Sequence, residues 1–171
     1  TDPRVQARTG PLLDQCAALR DEPFDGVDPL GLCKAVADAE KALMKALVKL
    51  AMEQIKANPK LAKGLMSKGS YQHLKNGTKD RLYNATYGKA VERQVRNNIN
   101  ADPQLKAMIE HTGQTRGPNG QFVSSPDFKS DTSGKVYDVT TNRDVGAHQK
   151  RDGDQQPEYL PYDVPTNNMG F

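Results

Sequence analysis

The run Val136-Tyr137-Asp138-Val139-Thr140-Thr141 puts a carboxylate in the middle of the most strand-like stretch of the chain. Strands deplete Asp, and a lone carboxylate in an apolar strand is costly to desolvate. Asp138 therefore requires hydration, a hydrogen bond, a cation or a metal. Two other acids stand where they could join it. Asp127 follows Pro126 and meets Asp138 if the strands on either side of the polar turn Lys129–Gly134 pair as a hairpin. Glu92, in Gly88-Lys89-Ala90-Val91-Glu92, reaches them if its helix packs on the sheet through Val91 and Val95. Oxygen donors from three elements suit Mg2+ or Mn2+, since one or two carboxylates with water and a substrate phosphate are enough to hold such an ion. A cation there would activate water and neutralise charge developing on a phosphoryl group.

The elements that must position these acids are readable from periodicity. Leu12, Leu13, Cys16, Ala17 and Leu19 follow a helical rhythm, and a loop through Asp21, Pro23 and Gly26 leads to Pro29. The longest periodic stretch, about residues 32–57, carries Leu43, Met44, Leu47, Val48, Leu50, Ala51 and Ile55 on one broad face. Asn58 as N-cap with Pro59 at the first helical position opens a short helix that fades at Gly69. After a turn at Asn76-Gly77, a helix over about residues 78–99 stacks Tyr87, Val91, Val95 and Ile99, and Asp102-Pro103 starts another that ends near Gly113. A turn at residues 116–120 leads to a strand at Phe122-Val123, then to the polar turn and the strand 135–141. A helix or loop over 142–151 follows, then a strand over 158–164 interrupted by Pro161, and an extended tail. Met44, Met52 and Met66 read as core filler.

At 171 residues the chain has room for one sizeable core but not for two large domains. The net charge of +3 is small, but its distribution is uneven. Residues 60–116 hold eleven Lys and Arg against Asp80, Glu92, Asp102 and Glu110, which suits a phosphate-bearing ligand or an acidic protein partner. Cys16 and Cys33 are too few for a disulfide framework; they could form one bridge, but each sits among Ala and Leu, which favours two buried thiols. The absence of an 18-residue apolar run predicts no membrane span, and Thr1 in place of Met points to a piece of a longer protein.

The order of acids in "GKAVE", "SPDF" and "YDVTT" resembles the PD-(D/E)xK nuclease superfamily, of restriction-endonuclease-like fold. It is most similar to the nuclease toxin domains at the C-termini of bacterial polymorphic, contact-dependent and type VI secreted toxins. The resemblance covers about residues 86–151. It implies that Glu92, Asp127 and Asp138 bind the metal and that a lysine two positions after the last acid orients or activates the attacking water. Thr140 stands at that position, a neutral hydroxyl that cannot supply the cation. Lys135, Lys150 and Arg151 are the candidates to replace it, and His148 could titrate usefully at the site. The resemblance further implies a toxin secreted or injected by its producer, acting in the cytoplasm of the target cell, and a dedicated immunity protein with an acidic surface facing the basic helices.

The fold expected is α+β, a helical N-terminal half packed on a small mixed β-sheet of restriction-endonuclease-like type. Residues 1–70 form a helical region, whether delivery segment, cap or partner platform, and residues 71–171 a nuclease-like domain. The leading reading is a metal-dependent nuclease, DNA ahead of RNA as substrate, with Lys89, Arg93, Arg96, Lys135 and Lys150 gripping the backbone. Two alternatives stand beside it. One is a metal-independent RNase in which His148 is acid or base and Arg151 or Lys150 stabilises the phosphorane. The other is a non-enzymatic helical binding module. In the plain reading of single residues, Asp127 ends a strand or makes an Asx-turn and Glu92 pairs with Lys89, Arg93 or Arg96 at the surface, while His73 and His111 are isolated surface residues.

Overall fold

The structure is a computed structural model that describes residues 31–113, 115–116, 119, 122–123, 126–152, 157–165 and 171. The expected helix around Leu12–Leu19, the loop before Pro29, Cys16 and the side chain of Cys33 lie outside the described residues. Helix α1 spans Leu32–Ala57, as its periodicity predicts. It starts from Gly31 at φ 62°, a left-handed conformation that glycine adopts without a Cβ penalty. Met44, Leu47, Val48, Ala51 and Ile55 form its buried stripe.

The expected helix after Pro59 is two. Helix α2 (Lys60–Leu65) has no side-chain cap, because Asn58 closes α1 rather than opening α2. Met66 is extended, and Ser67 then caps α3 (Lys68–Lys75) by accepting from the Ser70 N–H at 3.2 Å. Residues Gly77–Lys79 make a single 3₁₀ turn, so the next helix, α4 (Tyr83–Ala101), begins later than its sequence pattern suggests. The delay has a visible cause in Asp80, which accepts from His73 Nδ1 at 3.0 Å, Asn76 Nδ2 at 2.9 Å and the Leu82 N–H at 2.9 Å. These bonds hold its pKa down to about 2. His73 is thus a partner of Asp80 and not an isolated surface residue.

Helix α5 (Pro103–Met108) is capped by Asp102, which accepts from Gln104 N–H at 2.8 Å. It stops five residues short of Gly113, because Ile109–His111 is a strand, β1. Strands β2 (Thr115–Arg116) and β3 (Phe122–Val123) pair with each other in a separate ribbon. Phe122-Val123 is therefore not an arm of the acid-bearing hairpin. That hairpin is β4 (Phe128–Ser130) with β5 (Val136–Thr141), closed by a turn that uses Gly134 at φ 69°. Helix α6 (Val145–Asp152) then crosses over to β6 (Glu158–Tyr162), which lies parallel to β5. The sheet order is β1-β4-β5-β6, antiparallel except for the last pair. Pro161, which has no N–H to give a ladder, is tolerated because β6 is the edge strand.

The expected α+β class is borne out, a mostly helical chain with one small mixed sheet. Side chains alternate across a strand, so Tyr137 and Val139 face one way and Asp138 and Thr140 the other. Tyr137 and Val139 share the core with Ile109, Phe128, Leu160 and Tyr162, against α1 and with Tyr87, Val91 and Val95 of α4. Fully burying each large side chain of this layer contributes roughly 1.5–3 kcal/mol. Tyr71, Tyr83 and Tyr87 close one end of the core around Phe171, at ring distances of 6.4 Å. Helix α1 is also fastened by a buried carboxylate. Glu40 accepts from Ser130 Oγ at 2.6 Å, Ser133 Oγ at 2.9 Å and Tyr137 Oη at 2.7 Å, binding the helix to the β4–β5 hairpin. Gln54 accepts from Gln94 and Asn98 of α4 at 2.9 and 3.0 Å. Among the described residues, no helix is long and apolar enough to cross a membrane.

Candidate active site

Asp138, 2 % exposed at the centre of β5, has the partners that its burial demands. One is His148, whose Nδ1 shares a hydrogen bond with Asp138 Oδ2. The turn leaving β5 makes this contact possible. Thr141 Oγ1 donates to Asp144 Oδ2 at 2.7 Å and accepts from the Asp144 N–H at 3.2 Å, and α6 then folds back over the face of β5 that carries Asp138.

The second partner is Asp127. The ladder between β4 and β5 ends at Phe128 and Tyr137, and Asp127 extends it with its side chain, Oδ2 accepting from the Val139 N–H at 2.8 Å. Its backbone is pinned from the other side. The Asp127 carbonyl accepts from the Thr112 N–H at 3.1 Å, and Thr112 Oγ1 donates to the Pro126 carbonyl. In this setting the Asp127 carboxyl titrates well above the usual carboxylate range. Burial is the main cause, followed by the negative charges of Glu92 and Asp138, and the protonated form hydrogen-bonds Asp138. The Asx-turn reading of Asp127 is replaced by a carboxyl that caps a strand and faces two other acids.

Glu92 comes from the opposite side of the sheet, on α4, one position after the buried Val91. It does not pair with Lys89, Arg93 or Arg96 but with His111, whose Nε2 lies 3.0 Å from Glu92 Oε1. The His111 ring stands edge-on to Phe128 at 5.4 Å. Expected to be an isolated surface residue, His111 is 22 % exposed and fixed between helix and sheet. The sequence signal for this was the alternation Ile109-Glu110-His111, which puts His111 on the same face as the buried Ile109.

The three expected acids are therefore neighbours in an arc, not a closed cage. Asp127, at the lip of the sheet, feels both Glu92 from the α4 side and Asp138 from the α6 side. Among the described residues, no three of His, Cys, Asp and Glu stand as a ready ion-holding group. A divalent cation nevertheless suits the chemistry of the Asp127–Asp138 pair, because it relieves the crowding of negative charge that helps to raise the Asp127 pKa. Two hydroxyls beside the arc are buried without hydrogen-bond partners among the described residues. One is Thr140 Oγ1, on the Asp138 face of β5 at the position where a lysine was expected, and the other is Tyr162 Oη. Burial and the nearby Tyr87, Asp127, Asp144 and Glu92 push the Tyr162 phenol far up.

The candidate cations are less concentrated. Lys135 belongs to the β4–β5 turn, where it lines a cavity of about 420 Å³ with Lys34, Lys41 and Glu158. Lys150 is exposed on α6, and the side chain of Arg151 lies outside the described residues. Arg93 is occupied in clipping α2 to α4, donating to the Leu65 carbonyl. Lys89 is exposed and Arg96 partly buried on α4. Comparisons of the chain with family models, with curated proteins and with solved structures return no match.

Proposed function

We propose that this chain is a nuclease of restriction-endonuclease-like build that hydrolyses phosphodiester bonds, with DNA ahead of RNA as substrate. The observation that carries the reading is the Asp127–Asp138 pair. Two carboxyls close enough to interact, one with its pKa raised by burial and by its neighbours, lie at the lip of a mixed sheet with Glu92 close enough to act on Asp127 electrostatically. Such crowding of acids destabilises a fold and is expected where the acids have work to do.

Asp127 and Asp138 would hold Mg2+ or Mn2+, with Glu92 nearest to Asp127, and the ion would supply charge neutralisation at the phosphoryl group and a more acidic water. The chain's own contribution is positional. The Val139 N–H fixes the Asp127 carboxyl, and His148 fixes that of Asp138. Thr140 Oγ1 offers a donor on the same face as Asp138, suited to a phosphate oxygen or to the attacking water. Exposed Lys89 and Lys150 would add backbone affinity, with Arg96 at the edge of the same helix as Glu92.

A second reading is favoured by one contact. The bond between His148 Nδ1 and Asp138 is how a carboxylate orients an imidazole for proton transfer, as a metal-independent RNase with His148 as acid or base would need. Plasmid and RNA cleavage by the intact protein and by Asp138→Ala, with manganese or with EDTA, separates the two. Loss of cutting in EDTA and in Asp138→Ala supports the metal-dependent nuclease, and RNA cleavage that survives EDTA supports the other. Protein that binds DNA but never nicks it with manganese present would point to a binding module. As a secreted antibacterial toxin acting in the target cell's cytoplasm, the chain would require an immunity protein, acidic where it meets the basic helices. Rescue of cells expressing the chain by a neighbouring acidic protein is the test of that part.

A further inference from the structure

A cavity of about 360 Å³ opens between the Gly77–Lys79 turn, the first turn of α4 and the C-terminal ends of β5 and β6. This lies within the size range of small-ligand sites, which begins at about 300 Å³. Its polar groups come from Thr78, Asn84, Thr141, Asn142, Arg143 and Asp163, and its apolar part is Val164 with Pro165 and the Tyr162 ring. Tyr162 links it to the acid arc, since its ring lines the cavity and its hydroxyl is set against Gly88, one turn of α4 before Glu92.

The lining has the chemistry of a base-and-phosphate site. The Asn84 amide offers a donor and an acceptor, while Asn142 gives its nitrogen to Asp163 at 2.6 Å and keeps its carbonyl oxygen as an acceptor. Val164 and Pro165 offer an apolar surface to a ring face. Arg143 is exposed at the rim, and Thr78 is followed by the exposed Lys79 and Arg81. An amide pair with one guanidinium and a short apolar wall offers contacts to a base edge, a ring face and a phosphate together, most of which an inorganic anion would leave unused.

We propose that this cleft receives one nucleotide of the strand being cut, adjacent to the scissile phosphate, with Asn84 and Asn142 on the base edge and Arg143 on its phosphate. The inference rests on the nuclease reading and adds a determinant of base preference to it. The test uses the full chain carrying Asp138→Asn to silence cutting, in EDTA, with a fluorescein-labelled single-stranded DNA followed by anisotropy across a salt series. Added singly, Asn84→Ala and Arg143→Ala should each weaken binding about tenfold. Arg143→Ala should also lower the slope of log affinity against log salt by about one unit, and Arg143→Lys should restore it. Lys49→Ala, in a surface pair with Glu53 on α1, serves as the control and should change nothing. In the cutting-competent chain, Asn84→Ala should shift which positions of a DNA are cut. If the silenced protein binds the DNA and both cleft variants bind it equally well, the cleft assignment is overturned and the nuclease reading stands. If the silenced protein does not bind DNA and the intact chain does not cut it, both fall together.

Discussion

Replacing Asp127 by Asn should make the protein more stable and inactive at once, with a stability difference that grows with pH. The substitution keeps shape and hydrogen bonding, since the Asn oxygen still accepts the Val139 N–H now held at 2.8 Å and its NH₂ takes over the bond to Asp138. Only the charge is lost. Because the folded-state pKa of Asp127 is raised above 3.8, the folded protein retains a proton that the unfolded chain has released. Wild-type stability must then fall relative to Asp127→Asn as pH rises, by about 1.4 kcal/mol per pH unit, from about pH 4 up to the folded pKa. Above that pKa the difference is constant, and below about pH 4 the two proteins should be level. Linkage limits the gap at neutral pH to about 4 kcal/mol, and each kcal/mol of it would raise Tm by roughly 2–4 °C for a chain of this size. Urea unfolding followed by circular dichroism, in EDTA between about pH 4 and pH 7, measures it. Manganese in place of EDTA should stabilise the wild type more than the variant, through mass action on the folded state. A variant that is less stable at neutral pH, or a gap that narrows as pH rises, would refute the picture of Asp127 as a carboxyl crowded by Glu92 and Asp138.

Three further outcomes are expected. A Cβ on Gly88 would lie 2.7 Å from Tyr162 Oη; Gly88→Ala should cost about 1–3 kcal/mol, and Tyr162→Phe, which removes that buried hydroxyl, should recover most of it in a double-mutant cycle of urea midpoints. Glu40→Ala leaves Ser130, Ser133 and Tyr137 without their common acceptor and should destabilise by about 3 kcal/mol by the same assay, with Glu40→Gln milder. The sign for Asp80 is opposite to that for Asp127. Its pKa is held down to about 2, so its stabilisation is present above pH 3.8 and is lost as pH falls through about 2, and acid titrations should show wild type losing its advantage over Asp80→Asn across that window.

The parts of the fold that were legible in the sequence carry a strong local period or a capping residue. Leu32–Ala57 repeats its apolar face over seven turns, and Tyr87, Val91, Val95 and Ile99 mark the buried side of α4 directly. Asp138 stood out because an acid in a strand of Val and Tyr contradicts its surroundings, and its burial bears this out. The misses are elements too short to have a period. Strand β1 is three residues long and follows α5 without a break, so a helix running to Gly113 read equally well. Phe122-Val123 looked like an arm of the acid hairpin because nothing local marks Thr115-Arg116 as its partner. The contact of His111 with Glu92 depends on that unseen strand, and the contact of His148 with Asp138 depends on how α6 returns over β5. Parallel pairing of β5 with β6 is a matter of crossover, which periodicity does not encode.

The carboxylate of Glu40 has a consequence for how the molecule comes together. Its three hydroxyl partners arrive 90 or more positions later in the chain, and closing a loop of that span carries an entropic charge of about 4 kcal/mol before any reward is collected. Synthesis from the ribosome delivers the helix long before the hairpin exists, so the acid must wait in water, and the hairpin whose second strand carries Asp138 locks only when both are present. The nascent protein accordingly holds the helix without its anchor for most of its manufacture, and the helix and the acid-bearing hairpin are joined late.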